Sequence, residues 1–199
     1  MGITERRIRQ KEEVRASILS AAWKMVEEEG WQALSIRRIA EAIEYSVPVI
    51  YDHFENKEAI LLEFTRRGFQ LLNDEIAAAK ASYQNPEKQI EALAAAYRKF
   101  AFSNQEFYHL MYGMGMPGCE CVQQIPELKA FSLLLREPLE LLAEKSKKKI
   151  DVHLKLRTLW SGLHGFVSIC NMDKSQQTDE KMNQRILDDF IQMFIAGMK

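Results

Sequence analysis

An all-α fold is what this sequence predicts, and three observations carry the prediction. Proline and glycine are sparse, at five and nine in 199 residues, so few points interrupt a helix. Apolar residues recur every three or four positions in segment after segment, the period of a helix with one buried face. No stretch alternates apolar and polar residues as a half-buried strand does. An apolar fraction of 47% supplies a packed core, and the length suits one large or two small domains.

About nine helices follow in order. The first spans about 4–29, turns Ile18, Ala22, Met25 and Val26 inward, and stops at Gly30. Residues 35–57, SIRRIAEAIEYSVPVIYDHFENK, read as two short helices joined by a tight turn. Ser35 stands where a hydroxyl can cap the first of them. Ile36, Ile39, Ala40 and Ile43 give it one buried face. Glu44-Tyr45-Ser46 breaks the pattern, Ser46 can cap the second helix, and Pro48 sits in the first turn, where its missing N–H does no harm. Ile50 and Phe54, four apart, anchor that helix, leaving Val49, Tyr51, Asp52 and His53 to point elsewhere. A helix-turn-helix offers its second helix to a DNA major groove in this way.

A long helix runs from Asn56, its N-cap, to about Ala81, with Leu61, Phe64, Phe69, Leu72 and Ile76 as its apolar positions. It links the helix-turn-helix to the rest of the chain. Pro86 to Phe102 and 105–112 are helical, and Gly113 to Gly118, with two further methionines and Pro117, reads as a loop. Helices over about 126–148, 151–171 and 178–198 complete the chain. The domains expected are 1–55, a helix-turn-helix DNA-binding domain, and 56–199, an effector-binding and dimerisation domain.

Two regions of the second part suggest roles. Phe64, Tyr97, Phe100, Phe107, Tyr108, Met111, Tyr112 and Phe131 concentrate aromatic and methionine side chains. Such a set serves either as core or as the apolar wall of a small-molecule site. In the last two helices, Leu156, Leu159, Leu163, Phe166 and Val167, then Ile186, Phe190 and Phe194, cover more of the circumference than one packing face needs. They are expected to form a homodimer interface. Gly162 and Gly165 each cost a helix interior about 1 kcal/mol relative to Ala, which is reasonable where another backbone or ring comes close.

The charge balance sets limits. Net charge is −1, and residues 1–60 hold nine Lys/Arg against eleven Asp/Glu. Strong non-specific affinity for nucleic acid is therefore not expected, because it depends on phosphate neutralisation. Specific binding through a local patch remains available: Arg6, Arg7, Arg9, Lys11 and Arg15 lie near the N-terminus, and Arg37, Arg38, His53 and Lys57 in the motif. No apolar run approaches the ~20 residues of a membrane span, and residues 1–15 are too charged for a secretion signal. A cytoplasmic location is expected. Three cysteines make no secreted disulfide framework. Cys119-Glu120-Cys121 raises thiol or metal sensing as an alternative, but Cys-x-Cys without a second pair is not a common zinc spacing. No metal and no cofactor is expected. The chain carries no phosphate-binding Gly loop, nucleophile elbow or His-Glu-x-x-His pair, so no catalysis is expected.

The segment 10–62 resembles the DNA-binding domain of the tetracycline-repressor (TetR) family of bacterial transcription regulators. The resemblance lies in Ile18 to Ala22, Glu29-Gly30, Leu34-Ser35-Ile36-Arg37, Ile39-Ala40, Ser46, Ile50-Tyr51-x-His53-Phe54 and Lys57, many positions at fixed spacing. Glu44 departs from the family, which usually has Gly at this turn. Gly tolerates a positive φ there, whereas Glu pays a steric cost and brings negative charge close to DNA. Trp160-x-x-x-His164-Gly165 is similar to the Trp-His-Gly signature of one group of TetR C-terminal domains. The resemblance implies pairing of the last two helices of each subunit into a four-helix bundle. It also implies a small-molecule effector in the middle region, with Trp160 and His164 beside the aromatics.

The function expected is a ligand-responsive regulator, most simply a repressor released from a palindromic operator by a small apolar or amphipathic effector. Ser35, Arg37, Tyr51, His53 and Lys57 are expected to hold phosphates, with Arg38 and Ser46 nearby. Tyr45, Val47, Pro48, Val49 and Asp52 are expected nearest the base edges, where Pro48 and Val49 can touch thymine methyls. The alternative from another class is a helical protein–protein interaction module, supported by the negative charge of Glu44 and Asp52.

Overall fold

A computed structural model of the chain describes residues 3–112, 125–172 and 180–199. The described residues hold nine α-helices and one 3-10 turn: α1 (Ile3–Glu29), the 3-10 turn (Trp31–Ala33), α2 (Ile36–Ala42), α3 (Val47–Tyr51), α4 (Lys57–Ala81), α5 (Pro86–Ser103), α6 (Gln105–Tyr112), α7 (Pro126–Lys145), α8 (Val152–Met172) and α9 (Glu180–Ala196). The expected Gly-rich loop at 113–118, Cys119, Cys121 and the polar loop before α9 lie outside the described residues. No described helix is long and apolar enough to cross a membrane.

The chain folds as two compact units, Met1–Gly68 with Glu106–Gln123, and Phe69–Gln105 with Gln124–Lys199. The division falls inside α4, well past the expected boundary at residue 55.

In the N-terminal unit, the second half of α1 buries Ile18, Leu19, Ala22 and Val26 against Ile39 and Ala40 of α2, Ile50 of α3, Phe54, and Ile60 and Phe64 of α4. Burying one such side chain contributes roughly 1.5–3 kcal/mol. Gly30 ends α1 at φ 79°, a left-handed conformation that suits glycine. Four rings then close the unit. Trp23 stacks on Phe107 at 4.4 Å between centroids, and Trp31 meets Phe64 edge-on at 5.4 Å. The Trp31 indole Nε1 donates to the Glu106 carbonyl at 2.8 Å, which seats the start of α6 in this unit.

In the C-terminal unit, α5 is central and packs on α7, α8 and α9. Asn85 caps it by accepting the Glu87 N–H at 2.9 Å, with Pro86 in the first turn. Tyr97, Phe100 and Phe131 are fully enclosed, together with Leu159, Leu163 and Val167 of α8.

One buried cation explains an interior proline. Pro138 lies inside α7 and has no N–H to give the carbonyl four residues back, Leu134. Lys80, only 5% exposed, donates its ammonium to that Leu134 carbonyl at 2.7 Å and to Glu137 at 2.8 Å. The lysine thus satisfies the acceptor that the proline orphans, and it ties the end of α4 to α7.

Candidate DNA-reading site

The turn between α2 and α3 is built on a left-handed residue. Glu44 has φ 59°, the single positive φ among described residues other than glycine. The Tyr45 N–H reaches the Ala40 carbonyl at 3.0 Å, and the Glu44 N–H the Glu41 carbonyl at 3.2 Å. These two bonds make a Schellman cap, in which Glu44 takes the place glycine usually fills. The positive φ expected of this turn is present, and so is the strain of placing a side chain there, roughly 1–2 kcal/mol.

Ser35 and Ser46 occupy the N-cap positions of α2 and α3, in extended conformations, but neither side chain makes a capping bond. This corrects the expected capping role of their hydroxyls. Their carbonyls do accept the first helical N–H groups, Ile39 at 2.9 Å and Val49 at 3.0 Å. The hydroxyls therefore carry no internal load at the caps. Ile50, fully buried, and Phe54, at 4% exposed, anchor α3. Tyr45, Ser46, Pro48, Tyr51 and Asp52 are exposed, while Val47, Val49 and His53 are half-buried.

The cations around this surface are in different states. Arg37 is exposed, and Lys57 opens α4 where Asn56 caps it, its Oδ1 accepting the Ala59 N–H at 2.8 Å. The first N–H groups of a long helix favour an anion. Arg38, expected among the DNA-binding residues beside the phosphate set, is held by Glu29 through both guanidinium nitrogens, one of them at 3.0 Å. His53 keeps its imidazole below the usual range, first because it is partly buried and then because Lys11 and Arg15 stand near it; Asp52 opposes them. Its Nδ1 is enclosed without a hydrogen-bond partner among described residues.

The ten expected effector residues divide between the units. Phe64, Phe107, Tyr108, Met111 and Tyr112 belong to the N-terminal unit, and Tyr97, Phe100, Phe131, Trp160 and His164 to the C-terminal unit. Phe64 and Phe107 are part of the ring cluster around Trp23 and Trp31, so their placement is that of core. Met111 packs against Gly68, where a Cβ would come within 2.6 Å of its sulfur. In the C-terminal unit, Phe131 contacts Tyr97 at 6.2 Å and Trp160 edge-on at 5.4 Å, so these aromatics form one cluster. Burial lowers the His164 pKa, favouring a neutral imidazole at pH 7. Sequence spacing gave no sign of the groove along α4 and α7, which Asn73, Ala77, Leu133 and Glu137 line.

The expected dimer residues need correction. Leu159, Leu163 and Val167 are fully enclosed by their own chain and Phe194 is 7% exposed, so a partner has little of them to bury. Leu156, Phe166 and Phe190 are half-buried, and Ile186 is exposed. Gly162 is explained within the chain, since a Cβ there would lie 2.2 Å from the Phe190 ring, whereas Gly165 has nothing within 4 Å. The apolar side chains left outside are Leu154 and Ile169 on α8 and Met182, Ile186 and Met193 on α9. Met182, Ile186 and Met193 fall on one face of α9, whereas Leu154 and Ile169 stand near opposite ends of α8.

Comparison with known proteins agrees with this architecture. An uncharacterized HTH-type transcriptional regulator of Mycobacterium tuberculosis is 24% identical over 93% of this chain and 81% of its own length. The fold is similar to that of the fatty acid degradation regulator FadR of Bacillus halodurans, with a TM-score of 0.70 and 20% identity over 92% of this chain and 99% of that one. It is also similar to the transcriptional regulator FadR of Bacillus subtilis in complex with stearoyl-CoA, with a TM-score of 0.73 and 16% identity over 92% and 98%. Residues 18–64 match the bacterial regulatory proteins of the tetR family, and residues 90–193 match the tetracyclin repressor-like C-terminal domain. With more than half of its length so matched, the chain belongs to the TetR family of bacterial transcriptional regulators.

Proposed function

We propose that this regulator is a repressor that binds a palindromic operator as a homodimer and leaves it when a small amphipathic effector binds. The observation that carries the reading is the α2–α3 surface. Ile50 and Phe54 hold α3 from beneath, while Tyr45, Pro48, Tyr51 and Asp52 stay exposed. In this reading Arg37, Tyr51 and Lys57 hold phosphates, and Tyr45, Pro48 and Val49 lie against base edges.

The exposed face of α9 and the exposed apolar residues near both ends of α8 support dimerisation. Leu154, Ile169, Met182, Ile186 and Met193 form the apolar surface that a second copy would cover, and Gly165 leaves room for close approach. The stearoyl-CoA of the Bacillus subtilis structure supports an amphipathic effector, whose acyl part would suit the cluster of Tyr97, Phe131 and Trp160. Effector binding would act through α4, whose residues belong to both units, by favouring a dimer unable to meet both half-sites.

Selection of duplexes from a random DNA pool at physiological salt, followed by challenge with stearoyl-CoA as the probe, tests the reading. The expected result is an enriched palindrome that the probe releases. A folded dimer that enriches no sequence would contradict DNA reading. An enriched palindrome indifferent to the probe would contradict only the acyl class of effector.

A further inference from the structure

We infer that Arg7 and Lys11, on the first turns of α1, form a second phosphate-binding surface that holds DNA beside the α3 reading head. The inference rests on the DNA-reading function proposed above. It concerns a stretch that precedes the matched family segment, which begins at residue 18.

Residues 4–13 of α1 are exposed throughout, and Ile8 is 55% exposed. These turns bury nothing in their own unit, so core packing does not account for them. Their charges are sorted by face. At about 100° per residue, Arg6, Arg7, Lys11 and Arg15 fall in one half of the circumference and Glu5, Glu12 and Glu13 in the other. Arg9 lies among the acidic residues and pairs with Glu13 at 3.8 Å. Arg7 and Lys11 have no ion pair among the described residues. They continue, at four-residue steps, the face that carries Arg15.

Arg15 shows where that face points. Its guanidinium sits 4.4 Å above the Phe54 ring and 3.0 Å from Glu63, at the exit of α3. Lys11, one turn outward, is close enough to His53 for its charge to act on the imidazole. The basic face thus borders the end of the reading helix and continues outward over the exposed turns. Those ten residues extend ~15 Å, which spans several base pairs at ~3.4 Å each.

A polyanion fits this face by charge, and its position beside His53 and Phe54, at the end of the reading helix, selects the DNA backbone as that polyanion. Sorting the charges also explains how a segment with more acidic than basic residues over 1–60 can meet phosphates. In the first turns of α1, Glu5, Glu12 and Glu13 lie away from the face of Arg7 and Lys11.

The test compares the full-length protein with the double variant Arg7→Gln and Lys11→Gln on the palindromic duplex selected from the random pool. Both positions are exposed, and circular dichroism checks that helicity is kept. The slope of log K against log salt should fall by about 1.8 for each subunit. Wild type should therefore lose about tenfold more affinity than the variant between 50 and 200 mM salt for each subunit's contribution. Sequence preference should stay the same, because phosphate contacts do not read bases. The opposite-face variant Glu12→Gln and Glu13→Gln should leave the slope unchanged. An unchanged slope in the folded Arg7/Lys11 variant overturns the inference while DNA reading stands, and so does an equal fall in the Glu12/Glu13 variant. Failure to select any duplex overturns DNA reading itself, and this inference with it.

Discussion

The two units use buried rings differently. In the N-terminal unit, Trp23, Trp31, Phe64 and Phe107 pack on one another and on the core that carries the helix-turn-helix, while Tyr45 and Tyr51 stay outside at about half exposure. In the C-terminal unit, Tyr97, Phe100 and Phe131 are all inside, Tyr83 alone of the large aromatics there is about half exposed among the described residues, and the other large apolar side chains left outside are aliphatic. A reading head has to keep its recognising groups in water until DNA arrives. A sensing or pairing domain can enclose most of its aromatics and leave aliphatic side chains outside. Whether a ring is core or contact is thus decided by the neighbouring helices and not by residue type.

The sharpest way to break this contrast is to truncate one ring in each unit. Phe64→Ala and Phe131→Ala should each cost about 3–5 kcal/mol, since both rings are almost fully enclosed. Phe64→Ala should lose DNA binding together with the stability of the N-terminal unit, as read by denaturant unfolding and a gel-shift assay. If Phe64→Ala keeps its stability and changes only the effector response, Phe64 belongs to a pocket and the contrast fails.

A second prediction sharpens the C-terminal side. Lys80→Met should cost about 1–3 kcal/mol by leaving the Leu134 carbonyl without its donor. In a Pro138→Ala background the new backbone N–H supplies that donor, so the same change should cost less. Strictly additive costs in this double-mutant cycle would mean that the lysine does not compensate for the proline.

Glu44→Gly addresses the reading head. Relief of the left-handed strain should raise stability by about 1 kcal/mol, seen as a higher Tm, and loss of the carboxylate should tighten DNA binding. A lower Tm would show that the Glu44 side chain supports the turn.

The smallest effect is in pH. His53 and His164 both have folded pKa values below their unfolded value of about 6.5. Their contribution to stability is therefore present above pH ~6.5 and is lost as pH falls through the folded values. His164→Gln should flatten that dependence in thermal melts. If His53 meets a phosphate, DNA should raise its pKa, so affinity should increase as pH falls, opposite in sign to the stability effect. Identical pH dependence of affinity in His53→Gln would remove His53 from the phosphate contacts.

Much of the fold was legible because helices announce themselves locally. The helix expected over 56–81 is Lys57–Ala81 with Asn56 as its cap, and that expected over 86–102 is Pro86–Ser103. The helix expected to reach 148 ends at Lys145, where Ser146 turns extended ahead of three lysines with no apolar position to bury. At the reading head, the spacing points to Ile50 and Phe54 as anchors, and the family resemblance, with its usual Gly at this turn, points to Glu44 as the strained residue. What could not be read depends on distant partners. The Lys80–Leu134 bond requires knowing that α4 lies along α7. Gly162 was recognisable as a close approach, but Phe190 as its cause was not, and Gly165 at the same level of suspicion meets nothing in its own chain. The membership of Phe64 and Phe107 in the N-terminal core follows from the return of α6 to that unit, which no local pattern encodes.

Hydroxyl-radical footprinting of the full-length protein on the selected duplex tests the central claim most directly. Two subunits that each place α3 in a major groove should protect two equivalent segments about 34 Å apart, one helical turn, on one face of the duplex. One protected segment, or uniform protection without spacing, would contradict a dimer that reads paired half-sites through α3.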